Sequence, residues 1–122
     1  MRCPCLSGLP YDECCGRLHR GEARAATAEQ LMRSRFSAFA VSDAVYLLRS
    51  WHPSTRPSSL DLDDSLRWYR LDIERVVAGG PLDTRGEVLF VAHFRSADGP
   101  GTLEEHSLFE RVDGEWFYLH ER

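Results

Sequence analysis

The chain has 122 residues, 43% hydrophobic and 28% charged, with 15 basic against 19 acidic side chains and a formal net charge of −4. That composition fits one globular domain with a small appendage, which excludes a disordered chain or two full domains, and its acidic balance argues against a general nucleic-acid binder. Every basic residue is arginine, so lysine Schiff-base chemistry is excluded, and no apolar run approaches the ~18 residues of a membrane span.

The first element is a cysteine unit over residues 1–16. All four cysteines of the chain lie there, at Cys3, Cys5, Cys14 and Cys15. No apolar segment follows Met1-Arg2, so no secretory leader is expected and the expected compartment is a reducing cytoplasm. In that compartment clustered cysteines point to metal more than to disulfides. Four soft sulfur ligands within reach of one point make a closed tetrahedral site for structural zinc. A disulfide pair, free thiols and an iron–sulfur centre are the alternatives. Adjacent cysteines such as Cys14 and Cys15 make a strained bridge, which weighs against a disulfide between them. His19 is a spare nitrogen ligand, and the Ser7-Gly8 turn has backbone N–H groups to aim at thiolate sulfur.

Residues 17–26 read as a polar connector, and the charged stretch Arg17–Arg24 as solvated, or as a small anion or RNA contact. Thr27 with Gln30 forms a capping box, and Ala28, Met32, Phe36 and Phe39 form a helical apolar stripe ending near Val41-Ser42-Asp43. A second helix is expected from Asp43 to Trp51, stopped by His52-Pro53. After a Pro- and Ser-rich loop, Asp61 is placed to cap a short third helix through Trp68. Four strands follow, over residues 71–78, 87–95, 103–112 and 115–120, with Asp113-Gly114 as the two-residue turn of the last hairpin. Helices followed by an antiparallel meander make an α+β fold.

Strand parity places Val88, Phe90, Ala92 and Phe94 on one inner face, and puts Leu103, Glu105, Ser107 and Phe109 on the inner face of the next strand. The outer row holding Leu89 and Val91 is apolar enough to be covered or to pair two copies as a homodimer. Arg35 shares the apolar side of its helix. An inward arginine and an inward glutamate need partners, so Arg35 and Glu105 either pair with each other or line a ligand pocket. Trp51, Trp68 and His52 are the remaining pocket candidates, with His52 also a candidate loop anchor. No nucleophile–base pair, phosphate loop or His-Glu metal helix is present at a telling spacing.

The string Cys3-Pro4-Cys5-x-Ser7-Gly8, Tyr11, Cys14-Cys15-Gly16 resembles the SEC-C zinc-binding motif. That resemblance implies Cys3, Cys5, Cys14 and Cys15 as ligands. It also implies a partner-contact module, the role of the motif in the tail of the SecA translocase motor. Leu6 stands where the motif has glycine, a position where positive φ would strain leucine. Further on, Ala26 to Phe39, Tyr46-Leu47-Leu48, Trp51-His52-Pro53, Glu105-x-Ser107-x-Phe109 and Asp113-Gly114-x-Trp116 resemble the YchJ-type family of bacterial proteins. The resemblance implies a cone-shaped, nuclear-transport-factor-2-like (SnoaL-like) domain, three helices on a curved antiparallel sheet, over residues 25–122, preceded by the zinc motif and connector over 1–24. Such a fold hosts lyases, isomerases and binding modules alike. The expected function is therefore a zinc protein that binds a macromolecular partner through its knuckle and has a small-ligand pocket. The alternative is a lyase or isomerase using Glu105 with His52 or His120 for proton transfer. Nucleic acid is a weaker partner expectation, and no membrane is expected.

Overall fold

The capping box after Thr27 forms as the spacing requires. The Thr27 hydroxyl accepts from Gln30 N at 3.1 Å, and the Gln30 side chain accepts from Ala26 N at 2.7 Å. In the computed structural model, which describes residues 1–122, the helix so started is α2, Ala28–Ala40. Ahead of it stand a short 3-10 turn, Tyr11–Glu13, and helix α1, Cys15–His19; behind it comes α3, Ala44–Arg49, whose first turn is capped by Asp43 at 3.0 Å from Tyr46 N. Four strands complete the chain: β1, Arg67–Ala78; β2, Arg85–Ser96; β3, Gly99–Val112; and β4, Glu115–Glu121. They pair antiparallel in sequence order. None of the helices is long and apolar enough to cross a membrane.

Register shifts interrupt the ladder between Trp68 and Arg70, between Ile73 and Arg75, and between Leu108 and Phe109. Each such irregularity bends its strand, so the sheet curves around α2 instead of lying flat. The core forms in that concavity. Met32 and Phe36 of α2 meet Leu71, Val88, Phe90, Ala92, Phe109 and Trp116 of the sheet. Of the inner rows assigned by strand parity, Val88, Phe90, Ala92, Ser107 and Phe109 are buried, Phe94 and Glu105 are half-buried, and Leu103 is exposed.

Two glycines set how closely α2 approaches. A Cβ on Gly86 would stand 2.6 Å from the Cα of Gly79 and 2.9 Å from the Cβ of Ala28. Gly79 has φ +76, and its carbonyl accepts from Ala28 N at 2.9 Å. Here glycine is required both for space and, at Gly79, for a left-handed backbone.

The structure corrects the expected secondary structure in two segments. No helix forms over residues 61–68. Asp63 instead accepts from Ser65 N at 2.9 Å and closes one turn, and the chain enters β1 at Arg67. Asp and Ser favour such local side-chain bonds over helix, and pairing of Trp68 with Phe94 recruits the aromatic end of the segment into the sheet. The second correction is partial and concerns the connector: its charged residues Arg17, Arg20, Glu22 and Arg24 are exposed as expected, but it begins as a packed turn. Residues Cys15–His19 are helical, and Leu18 and His19 are buried. Arg49 closes the end of this helix, donating to Leu18 O at 2.9 Å and His19 O at 3.1 Å. Arg20 is tied to Asp12 and Glu22, which removes it from any free basic patch.

The buried His19 has one satisfiable tautomer. Ser34 O accepts at 2.8 Å from Nε2, so Nδ1 is left to accept from the Tyr11 hydroxyl. Burial holds its pKa below the ordinary 6.5, against the opposing pull of Ser34 O and Asp43. A histidine kept neutral by the fold contributes stability above its unfolded pKa and loses it as pH falls through about 6.5.

Two outcomes are expected. Gly86→Ala costs about 1–3 kcal/mol in urea denaturation, because the helix must back away from the sheet. His19→Gln, which keeps a donor and an acceptor, loses less stability than the wild type between pH 7 and pH 5 in the same measurement.

Candidate metal centre and inner cavity

The amino-terminal stub is organised by backbone turns that bring its cysteines to one point. Cys3 N donates to Leu9 O at 2.9 Å, Leu6 N to Cys3 O at 3.1 Å and Tyr11 N to Met1 O at 2.9 Å. The turn places Leu6 at φ 67, the left-handed region in which leucine is strained. The four Sγ atoms lie within 4.8 Å of one another. Sulfurs around one tetrahedral zinc stand about 3.8 Å apart, given metal–sulfur bonds of ~2.3 Å. Cys5 and Cys14 are already at 3.6 Å.

The thiols crowd each other electrically. A hydrogen bond from the Cys15 sulfur, then contacts with Ser7 and Cys3, draw the Cys5 thiol down to about 4 against its desolvation. Bonding to Cys5 and burial push Cys15 up, and burial does the same to Cys14. Four sulfurs this close together thus carry one negative charge easily and further ones only with a cation among them. The donor set and its spacing fit a divalent metal ion.

Two hydroxyls flank the sulfurs. Ser7 Oγ lies 3.2 Å from Cys14 Sγ, so it is the serine side chain that meets sulfur at the expected Ser7-Gly8 turn. Ser37 Oγ, from the middle of α2, lies 3.5 Å from Cys3 Sγ and is fully buried. Sequence reasoning missed Ser37; its signal is a polar residue on the α2 face turned away from the apolar stripe. On that same face Arg33 donates to Cys5 O at 3.1 Å, so the side of α2 opposite the sheet is partly covered by the cysteine unit. His19 is not a ligand, since both its ring nitrogens are engaged elsewhere.

On the other side of α2 lies a cavity of about 220 Å³. Its walls are apolar: Met32, Phe36 and Phe39 from α2, Leu60 from the loop, Trp68 from β1, Phe90 and Ala92 from β2, and Leu103 from β3. Trp51, Arg35, Glu105, Ser107 and Tyr118 complete the lining. Four of the five pocket candidates, Arg35, Trp51, Trp68 and Glu105, therefore meet at one cavity. His52 does not. Successive residues of the segment after α3 face opposite ways, and its ring stands against Phe117 and 3.5 Å from Glu110 on the outside of the sheet. His120 is exposed at the sheet end. Glu105 has no histidine beside it.

The polar end of the cavity is built around Arg35, only 4% exposed. Its Nη1 donates to Leu47 O at 2.8 Å and to Ser50 Oγ at 2.7 Å. The guanidinium carbon lies 4.6 Å from the Tyr118 ring centre and 5.2 Å from that of Trp51. No carboxylate pairs with it. Burial pulls its pKa down to about 10, with Tyr118, Tyr46 and Glu105 opposing. Glu105 accepts from Ser107 Oγ and, at 3.5 Å, from the Tyr118 hydroxyl, both at Oε2. Burial and then the charge of Glu105 raise the Tyr118 phenol to about 12, which keeps it a donor. Arg35 and Glu105 thus face one cavity without an ion pair, separated by Tyr118.

Comparison with known proteins places both regions. The model of the YchJ middle NTF2-like domain matches residues 27–121, and that of the SEC-C motif matches residues 2–17. A UPF0225 protein of Corynebacterium glutamicum is 53% identical, with 96% of this chain and 93% of that protein covered. A UPF0225 protein of Streptomyces coelicolor is also 53% identical, covering 95% and 90%. The solution structure of a SEC-C motif containing protein from Rhodopseudomonas palustris superposes with a TM-score of 0.85 at 32% identity, covering 100% of this chain and 98% of that one. A crystal structure of a SEC-C motif containing protein from Psychrobacter arcticus gives 0.78 at 27% identity, covering 96% and 79%.

Loss of a hydroxyl beside a ligating sulfur weakens a metal site without emptying it. Ser37→Ala is expected to lower affinity for cobalt(II), read from its thiolate absorption under chelator competition, by about 10-fold while the helix content stays unchanged.

Proposed function

The chain belongs to the YchJ family of SEC-C-bearing bacterial proteins, and from that premise we propose that it is a zinc-organised binding protein that contacts a macromolecular partner through its knuckle. Cys3, Cys5, Cys14 and Cys15 hold the zinc in a structural role, since a closed set of four thiolates leaves no open position for catalysis. The observation that carries the partner reading is what the knuckle displays. Met1, Leu6 and Leu9 are 78%, 56% and 50% exposed, and they sit on a stub of a few residues whose backbone the metal fixes. Apolar side chains on a pre-organised tip lose little entropy on docking, which suits them to anchor a protein partner. The left-handed backbone at Leu6 supports the same reading: a strained residue here presents a side chain that glycine lacks.

A second reading is supported by the cavity on the far side of α2, which suits a small molecule. Its favouring observation is a buried arginine with no carboxylate partner in the wall of an apolar pocket. The lyase or isomerase alternative has its carboxylate, Glu105, in that pocket but lacks a histidine within reach, so binding is favoured over proton-transfer catalysis.

Elemental analysis of freshly purified, reduced protein is expected to return zinc, and Leu6→Asp and Leu9→Asp are expected to retain it. A partner captured by crosslinking to the wild type, then purified, should bind either variant at least 10-fold more weakly in calorimetry. Equal affinity for wild type and variants would reduce the knuckle to a structural staple.

A further inference from the structure

The polar end of the inner cavity has an unusual balance. It holds one cation, Arg35, and one anion, Glu105, that do not touch. The donors between them are spent. The single hydroxyl hydrogens of Ser107 and Tyr118 both go to Glu105 Oε2, and Arg35 Nη1 is taken by Leu47 O and Ser50 Oγ. What remains is the rest of the guanidinium and the buried Trp51 Nε1 as donors, and Glu105 Oε1 as acceptor, none with a protein partner.

We propose that this end of the cavity binds a small uncharged molecule whose head both accepts and donates hydrogen bonds, a primary carboxamide on an aromatic body. The proposal rests on the reading of the cavity as a ligand site and deepens it by naming the class. The carboxamide oxygen accepts from Arg35 while its N–H donates to Glu105, so the two charges are bridged without being neutralised. A carboxylate head would gain Arg35 but meet Glu105 as a like charge; an ammonium head would do the reverse. Either would also be stripped of water inside an apolar wall, a cost a neutral head avoids. The body lies against Phe36, Phe39, Trp68 and Phe90, whose rings favour an aromatic or similarly flat apolar group. The volume of about 220 Å³ limits the ligand to fragment size.

The test uses three probes with one ring and one chain length: 2-phenylacetamide, phenylacetate and 2-phenylethylamine. Each is titrated at pH 7.5 into the full-length, metal-loaded protein, with the Trp51 and Trp68 indole resonances followed by NMR. The amide is expected to bind at least 10-fold more tightly than either ion. Glu105→Gln, which keeps shape and leaves Arg35 as the one charge, is expected to reverse the order so that phenylacetate binds best. If an ionic probe binds the wild type best, or if the order does not change in Glu105→Gln, the carboxamide class is wrong and the cavity remains a ligand site. If no probe shifts either indole at millimolar concentration, the cavity is not a ligand site and both readings fall.

Discussion

Helix α2 is packed on two sides, and both regions of interest depend on where it lies. Its amino-terminal end is pressed against Gly79 and Gly86, which fixes its height over the sheet. Residues 33 and 37, one turn apart, touch the cysteine unit; residues 32, 35, 36 and 39 look into the cavity. The helix is therefore not amphipathic in the sense of core on one side and water on the other. Its polar face is a second interior, made of sulfur and backbone carbonyl. A side chain at either site is held by the same rod, so metal site and cavity are fixed relative to each other.

The electrostatics of the two sheet faces differ. On the outer face several ionisable groups are matched: His93 lies 2.9 Å from Asp72, and His106 lies 2.6 Å from Glu87, which Arg122 also approaches at 3.3 Å. On the inner face Arg35 is left with a carbonyl, a hydroxyl and two aromatic rings. A fold able to place acids beside its cations on one surface has kept them apart on the other. Stability alone favours an apolar residue over a lone buried charge, so the unpaired Arg35 is where the local rules of packing yield.

Much of this was legible in the residues. The four cysteines declare themselves by spacing, because ligands within one short stub need no knowledge of the fold to be brought together. Thr27 with Gln30 marked a helix start, and Asp113-Gly114 a hairpin, because caps and turns are local chemistry. Period-two alternation correctly turned Glu105 and Ser107 inward beside Phe109. The failures are all long-range. The aromatic end of residues 61–68 was claimed by a strand partner more than twenty residues on, and the Arg17–Arg24 stretch hid a buried turn because Leu18 and His19 are two residues among charges. His52 fell outside the pocket because one residue of parity, at Trp51, decides which of two neighbours faces in. Ser37 showed only as a polar residue opposite the apolar stripe, which does not say what it meets until the stub is folded against it.

The short helix α1 belongs to both halves of the molecule. It opens with Cys15, one of the four clustered cysteines, and within one turn delivers Leu18 to the core cluster and His19 to the backbone of α2. No flexible hinge lies between coordination and packing, so the boundary between motif and domain is thermodynamic fiction at this point. With an ion bound there as proposed, losing it would free one end of an element whose other end seals the edge of the core. On the proposed metal reading, the supply of metal in the cell would govern more than the shape of a tip: it would shift the folding equilibrium of the whole body, and a chelator would reach the cavity without ever entering it.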